Sequence, residues 1–342
     1  MNLFAKNVFS VQSPQFSKLT NSETAELSSI IQKNYSDLIV LEIYAIGTFG
    51  INSNNWKIIT NKEIFILKRA TINKHEVLSL QAEWTSDLSA SNFPTVRFMK
   101  NKAGKLISTQ EQHIYCMTYF ENGQYFGSFM EDWNDLIYNL KNLFDYCIKD
   151  NSIPLHKFPK REFFTPEEDN LIDQLKLFNN VKGIPIKQIA WIITEYEKSK
   201  KNFQLNQYNT TIFHTDLHPH NLIFNDHKLI LLTDFESFQL TPLEVSLGFG
   251  LYKCLRQLFA VMQDHQELQL QASLNKFKDQ FVQFFPEQNF KELIKLGKVD
   301  VLKRLLYIVN EILEKGESKW LFIFQIQVTS LDEINELERL LS

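Results

Sequence analysis

The stretch that decides the reading is Ile212-Phe213-His214-Thr215-Asp216-Leu217-His218-Pro219-His220-Asn221-Leu222-Ile223-Phe224, followed shortly by Leu229-Ile230-Leu231-Leu232-Thr233-Asp234-Phe235-Glu236. Leu222 to Phe224 and Leu229 to Leu232 are unbroken apolar runs on either side of Asn225-Asp226-His227, the pattern of a buried hairpin. Antiparallel pairing brings Asn221 and Asp234, which flank the two runs, to the same end. Asp216 sits on the loop that enters the hairpin, so three oxygen-bearing side chains converge. Taken singly, each is explained as well by a turn or a cap, because Asp and Asn favour such places for their local hydrogen bonds. The joint pattern is not.

Upstream, the chain reads as a sheet with one inserted helix. Thr20 and Glu23 form a capping box before Ala25, Leu27, Ile30 and Ile31, whose spacing gives one helical face ending near Tyr35. Runs of β-formers follow at Leu41 to Ile46, Trp56 to Thr60 and Ile64 to Leu67, separated by a glycine-containing loop, Gly47 to Asn54, and a tight turn at Asn61-Lys62. Val77, Trp84 and Leu88 predict a helix over Asn73 to Ala90, packed on that sheet with Gln81 on the same face. Val96 to Met99 and Lys105 to Ser108 flank a hairpin signal at Asn101 to Gly104, and His113 to Phe120 predicts one more strand.

Beyond Gly123 the composition turns helical, with Phe129 to Asp150 and then Thr165-Pro166-Glu167-Glu168 as a second capping box with proline in first position. The expectation is an α+β molecule of two lobes: a small antiparallel-sheet lobe over residues 1–122 and a larger, mainly helical lobe over 123–342, hinged at Gly123 to Ser128.

The whole chain sets bounds. Its 342 residues, 44% hydrophobic and 22% charged, are built to bury a core of two-domain size. A net charge of -4 leaves no surplus of Lys and Arg for a sequence-independent nucleic-acid surface. Cys116, Cys147 and Cys254 are odd in number, far apart and set in apolar runs, so buried free thiols in a reducing compartment are expected. No window approaches the ~20 apolar residues that span a bilayer, and Met1 to Ser10 lacks an apolar h-region. A cytoplasmic protein with no membrane partner is the expectation.

A carboxylate that can orient and deprotonate a hydroxyl, beside an amide and a second carboxylate that can hold a hard divalent cation, is the set that phosphoryl transfer needs. Asp216 suits the first task, Asn221 and Asp234 the second. Lys68 ends the strand Ile64 to Lys68 on the face of Ile64 and Ile66, beneath the glycine loop. A solvated strand-end lysine explains it equally well on pattern alone.

His214-x-Asp216-x4-Asn221, with Asp234 after a short hairpin, resembles the catalytic signature of the aminoglycoside phosphotransferase and choline kinase superfamily, over roughly Leu41 to Leu255. The resemblance implies a bilobal, protein-kinase-like fold that moves the γ-phosphate of ATP, with Mg²⁺, to a hydroxyl of a small molecule. It implies Asp216 as catalytic base, Asn221 and Asp234 as Mg²⁺ ligands, and Lys68 on the nucleotide's α- and β-phosphates. Similarity to a Gly-x-x-Ser-Asn pattern makes Gly50, Ser53 and Asn54 the phosphate-covering residues, and Tyr119 and Glu121 are implied to bind adenine through their main chain. His214 is implied to bond backbone beside the metal-binding aspartate, and Glu244 to be structural.

Two positions depart from the pattern. Thr215 stands where glycine is common. By spacing to Trp84, Leu88 and Pro94, the carboxylate that should pair with Lys68 falls near Gln81, with Glu76 and Glu83 on the neighbouring face; Glu83 is the expected partner.

Other readings meet the same residues. His214, Asp216, His218 and His220 carry the donor types of a transition-metal hydrolase, although Pro219 denies the histidines a shared helical or strand face. A kinase fold that binds without turnover is consistent with Gln81 and Thr215, but not with the joint presence of Asp216, Asn221 and Asp234. The acceptor is not legible. Phe238, Tyr252 and Trp320 are the aromatics that could line its pocket, and scattered aromatics are most often core.

Overall fold

Thr20 starts the first helix in the way its capping box requires. The Thr20 hydroxyl accepts from the Glu23 amide at 3.3 Å while the Glu23 carboxylate takes the Thr20 amide at 3.0 Å, satisfying two donors of the helix start. The computed structural model describes residues 15–35, 37–48, 51–127, 129–149, 155–177, 181, 183–261, 267–316 and 319–342.

The first lobe is a six-stranded antiparallel sheet, made of β1 (Gln15–Lys18), β2 (Val40–Thr48), β3 (Ile51–Thr60), β4 (Ile64–Thr71), β5 (Ile107–Gln110) and β6 (His113–Tyr119), in the order β1-β2-β3-β4-β6-β5. Helix α1 (Asn21–Asn34) lays Leu27, Ile30 and Ile31 on Ile43, Trp56, Ile58 and Leu67. The loop expected at Gly47 to Asn54 is largely strand, since Gly47 pairs with Asn52 and Thr48 with Ile51. Cross-strand pairing there overrides the poor β-propensity of Asn and Ser. Gly50 lies outside the described residues, and the side chain of Ser53 with it.

Val96 to Met99 does not form a hairpin with Lys105 to Ser108. It bridges β6 instead, with Phe98 opposite Thr118 and the Met99 amide on Met117 O at 2.8 Å. The Asn101 side chain makes the expected turn, accepting the Ala103 and Lys105 amides and donating to Ile107 O.

Helix α2 (His75–Ala90) was expected to pack on the sheet alone, and it serves both lobes. Leu78 and Ala82 face Ile107, Ile114 and Cys116 of the sheet, whereas Trp84 and Leu88 belong to the core of the second lobe, with the Trp84 ring 4.4 Å from that of Phe238.

The second lobe contains β7 (Gln124–Tyr125), α3 (Asp132–Lys149), α4 (Pro166–Leu177), α5 (Ile186–Asn202), β8 (Thr210–His214), β9 (Leu222–Asn225), β10 (Lys228–Leu232) and β11 (Phe238–Pro242), followed by α6 (Leu243–Val261), α7 (Glu267–Phe284), α8 (Phe290–Lys315) and α9 (Lys319–Leu340). The second capping box is present, with the Glu168 amide on Thr165 Oγ1 and the Thr165 amide on Glu168 Oε2. β9 and β10 form the expected hairpin, and both turn residues, Asp226 and His227, take positive φ as a two-residue type I′ connection demands. β7 pairs with β9, so part of the segment expected to act as a hinge is held as a strand of the second lobe. The three cysteines are buried free thiols, and no helix among the described residues is long and apolar enough to cross a membrane.

Helices α6 and α8 cross at backbone contact. A Cβ on Gly248 would stand 1.9 Å from Leu293 O, and one on Gly297 would stand 2.8 Å from Gly248 O. Gly248→Ala is therefore expected to lower the unfolding free energy by about 1–3 kcal/mol, since overpacking at such a contact forces the helices apart. Gly47→Ala, which would meet nothing within 4 Å, should stay within about 0.5 kcal/mol of the parent. Urea unfolding of the two variants makes the comparison, and equal stabilities would contradict the crossing.

Candidate active site

β8 pairs with β11 and β9 with β10, so the loop after His214 and the turn after Leu232 leave their strands at one end. Main-chain bonds tie the two together: the Thr233 amide to Asn221 O and the Thr215 amide to Ser237 O, both at 2.9 Å. The Thr215 hydroxyl also donates to Ser237 O at 2.9 Å. The departure from glycine at this position thus adds a second link between the loop and the turn.

His214 is fully buried. Its Nδ1 accepts the Asp216 amide at 3.3 Å and its Nε2 lies 3.0 Å from Thr233 O, an arrangement that assigns the proton to Nε2. Burial, opposed by the charges of Asp234 and Asp216, pushes its pKa below the ordinary histidine value, so it stays neutral. It bonds backbone beside Asp234, as expected.

Asn221 donates through Nδ2 to Asp216 O at 2.9 Å, which leaves Oδ1 to accept from the Thr233 hydroxyl at 3.2 Å. Asp234 adopts the left-handed conformation at φ 60°, at a cost of about 1–2 kcal/mol for a residue with a Cβ. Its Oδ1 lies 3.1 Å from Lys68 Nζ and its Oδ2 accepts from Ser237 Oγ. Burial, with the nearby Asp216 charge, works to raise this carboxyl; the charge and hydrogen bond of Lys68, helped by His214, together hold it below its ordinary value.

Lys68 also contacts Glu236 Oε1, and the structure does not bring it to Glu83. Glu83 is exposed, two residues beyond Gln81 and so about 200° further round the helix. Gln81 itself is buried and donates to Glu236 O at 2.7 Å and Phe238 O at 2.8 Å, holding the turn that carries Asp234 and Glu236. The carboxylates on Lys68 thus come from the Asp234-Phe235-Glu236 turn rather than from α2. Glu236 went unrecognised in the sequence, and its signal was a second acid two residues after a candidate metal ligand.

Of the remaining candidates, Asn54 accepts from Arg69 Nη2 at 3.0 Å. The Tyr119 amide is committed to Arg97 O at 2.9 Å, which leaves its carbonyl as the main-chain group a base could meet. The Glu121 carboxylate pairs with Arg97 at 2.7 Å. Glu244 holds the amide and side chain of Asn209, a structural task.

The histidines do not gather as the hydrolase reading requires. His218 accepts the His220 amide and reaches Asp216 Oδ2 at 3.5 Å, His220 stacks edge-on against Tyr125, and no cluster of three or more His, Cys, Asp or Glu suited to a metal exists among the described residues.

Asp216 is held from α8. Arg304 donates through Nη1 to Asp216 Oδ1 at 2.9 Å, through Nη2 to Thr215 O at 2.8 Å and through Nε to Asp300 Oδ2 at 2.6 Å, while Arg161 Nε takes Asp300 Oδ1 at 2.6 Å. The result is a ladder, Arg161-Asp300-Arg304-Asp216. Burial works to raise the Asp216 carboxyl, but Arg304 and then His218 overcome it and hold it well below the usual carboxylate range. Beside Arg304 opens a cavity of about 770 Å³, lined among others by Glu168, Lys303, Tyr307, Trp320 and Gln327. Trp320 therefore faces a pocket, whereas Phe238 and Tyr252 are wholly buried core.

The sequence matches no protein-family model and no curated protein. The fold has clear relatives among solved structures. A spectinomycin phosphotransferase in complex with ADP and spectinomycin is 12% identical and superposes with a TM-score of 0.60 over 96% of this chain and 100% of its own. An amicoumacin kinase in complex with AMP-PNP, Ca²⁺ and its ligand is 11% identical, with a TM-score of 0.62 over 93% and 94%. A microcompartment-associated aminopropanol kinase is 11% identical, with a TM-score of 0.60 over 93% and 97%. The chain has the α+β, bilobal kinase-like fold of these proteins, with its sheet lobe first and its helical lobe second.

Arg304→Met would remove the cation that Asp216 shares with the fully buried Asp300, leaving Asp300 with Arg161 alone and Asp216 with only His218 at 3.5 Å. Breaking such a pair costs about 3–5 kcal/mol when fully buried, discounted here to roughly 2–3 because Arg304 and Asp216 keep about a quarter of their side-chain surface. In the parent, the depressed Asp216 pKa contributes stability that is present above the unfolded value and lost as pH falls through the folded one. The variant should be less stable at pH 7 and should begin its acid unfolding at higher pH. Denaturant melts across pH check both, and an unchanged acid limb would contradict the ladder.

Proposed function

We propose that the protein is an ATP-dependent phosphotransferase that moves the γ-phosphoryl group to a hydroxyl of a small molecule. The observation that carries this is the convergence of Asp216, Asn221, Asp234 and Lys68 at one end of the buried hairpin, beside a cavity with room for an acceptor. The nucleotide-bound relatives of the same fold support the nucleotide part of the reading.

Asn221 Oδ1 and the Asp234 carboxylate are hard oxygen donors held at fixed positions, which suits Mg²⁺, a cation that keeps waters and phosphate oxygens for its remaining positions. Mg²⁺ bound there would neutralise charge on the transferring phosphate. Lys68, kept in place by Glu236 and Asp234, binds the α- and β-phosphates. Gly50, Ser53 and Asn54 cover the phosphates, and the main chain of Tyr119 and Glu121 meets the adenine.

Asp216 is ionised at neutral pH and held by Arg304, so it orients the acceptor hydroxyl in line and takes its proton as the new P–O bond forms and the bond to the departing ADP oxygen breaks. Gln81 and Thr215, the two departures that favoured a non-catalytic module, each have a structural task at the turn, which removes their support for that reading.

Asp216→Asn should abolish transfer while leaving ATP binding nearly intact. Asp234→Asn should weaken Mg²⁺-dependent nucleotide binding itself. Titration calorimetry with AMP-PNP, together with ADP release across a panel of hydroxyl compounds, separates the two effects. Full turnover in Asp216→Asn would sink the assignment.

A further inference from the structure

One half-buried cation has no place in the chemistry above. On α6, Arg256 pairs with Glu333 of α9 at 2.9 Å, and Tyr252 donates its hydroxyl to the same carboxylate at 2.5 Å. Lys253, between them in sequence, has no carboxylate at ion-pair distance among the described residues. Its Nζ donates to Ser330 Oγ at 3.1 Å and lies over the rings of Phe249 and Tyr252, at 5.5 and 5.1 Å from their centroids. A hydroxyl and two ring faces do not replace the hydration of an ammonium group, so keeping one here is costly. Burial pushes Lys253 down to about 7, with Arg256 and Arg304 adding to the shift and Glu333 and Asp216 opposing it.

Its location gives it a use. Phe249 carries the Arg304 guanidinium on the same ring, at 4.2 Å, so Lys253 and the arginine that holds Asp216 share one aromatic neighbour. Ser330 lies one turn along α9 from Gln327, which lines the cavity beside Arg304. The two carboxylates whose charge acts on Lys253 are already engaged, Asp216 by Arg304 and Glu333 by Arg256, and Asp300 is held by Arg304 and Arg161. Among the described residues the protonated Lys253 has no counter-ion of its own.

We propose that Lys253 is the anchor for a carboxylate on the acceptor, so that the molecule phosphorylated is a hydroxy acid whose hydroxyl faces Asp216. This rests on the phosphotransferase reading and narrows its substrate class. An acceptor carboxylate against Lys253 would supply the missing counter-charge and, by its own charge, keep Lys253 protonated. The other oxyanion that could reach this position is the nucleotide's γ-phosphate, and the test separates the two.

The full chain is titrated with AMP-PNP and Mg²⁺, and the saturated complex then with D-glycerate and 4-hydroxybutanoate, each against its uncharged match, glycerol and 1,4-butanediol. At least one acid should bind about tenfold or more tightly than its diol, and Lys253→Met should remove that advantage while Lys253→Arg retains it. The advantage in the parent should fall as pH rises through about 7, because the anion needs the protonated amine, and the slope should vanish in Lys253→Met. Arg256, Glu333, Tyr252, Arg304 and Asp216 face the same amine and remain in both proteins. Acids binding no better than diols, or a Lys253→Met protein that still prefers them, overturns the proposal. Weakened AMP-PNP binding in Lys253→Met assigns the lysine to the γ-phosphate and overturns it too. If AMP-PNP fails to bind the parent, it is the phosphotransferase reading that fails, a result distinct from nucleotide binding without acid preference.

Discussion

The fork of Arg304 on Asp216 and Thr215 O is the contact on which the candidate site depends, because it sets both the position and the charge state of the Asp216 carboxylate. A guanidinium presents its donors in one plane, so binding a carboxylate oxygen and a main-chain carbonyl together fixes a loop more tightly than an ammonium could. Arg304 is oriented in turn by Asp300 on its own helix, and Asp300 by Arg161. These charges reach the loop of Asp216 because α8 comes close enough to α6 to put backbone against backbone at Gly248 and Gly297. The close approach at this glycine pair seats the helix whose Arg304 holds Asp216.

A second dependence runs through α2. Trp84 and Leu88 are set in the core of the helical lobe while Leu78 and Ala82 face the sheet, so the helix joins the lobes. Gln81, on the same helix, binds two carbonyls of the turn that carries Asp234 and Glu236. A neutral donor is what this place requires, since a carboxylate there would meet carbonyl oxygens with no proton to offer. Lys68 then finds its acids on the turn itself, and its placement relative to Asp234 is fixed within one short segment rather than across two elements.

The hairpin and the residues at its ends were legible because apolar runs and an intervening polar turn specify antiparallel pairing, and pairing fixes which side chains meet. The capping boxes at Thr20 and Thr165 were legible for a similar reason, being local hydrogen-bond arrangements written in four residues. What escaped were contacts between residues far apart in the chain. The Arg304 to Asp216 bond joins residues 88 apart, and nothing in the helical pattern of α8 distinguishes Arg304 from a solvated arginine. Glu83 was preferred to Gln81 because a lysine was expected to seek a carboxylate on α2, and a helix turns about 100° per residue, which sends Glu83 into solvent when Gln81 is buried. The hairpin assigned to Val96 and Lys105 failed for a related reason: the turn chemistry of Asn101 was correct, but β6 offered the better partner.

A carboxylate pushed well below its ordinary pKa is a poor base, and that would count against Asp216 if the reaction needed early proton removal. Phosphoryl transfer asks for something else. Its loose transition state places little negative charge demand on the incoming oxygen, so the hydroxyl must be aimed well before it must be deprotonated. Charge pairing with Arg304 exchanges basicity for fixed orientation, and the loop bonds through Thr215 and His214 serve the same end. The strength of the ladder and the weakness of the base are two consequences of one arrangement, and both fit a reaction in which the acceptor is positioned rather than activated.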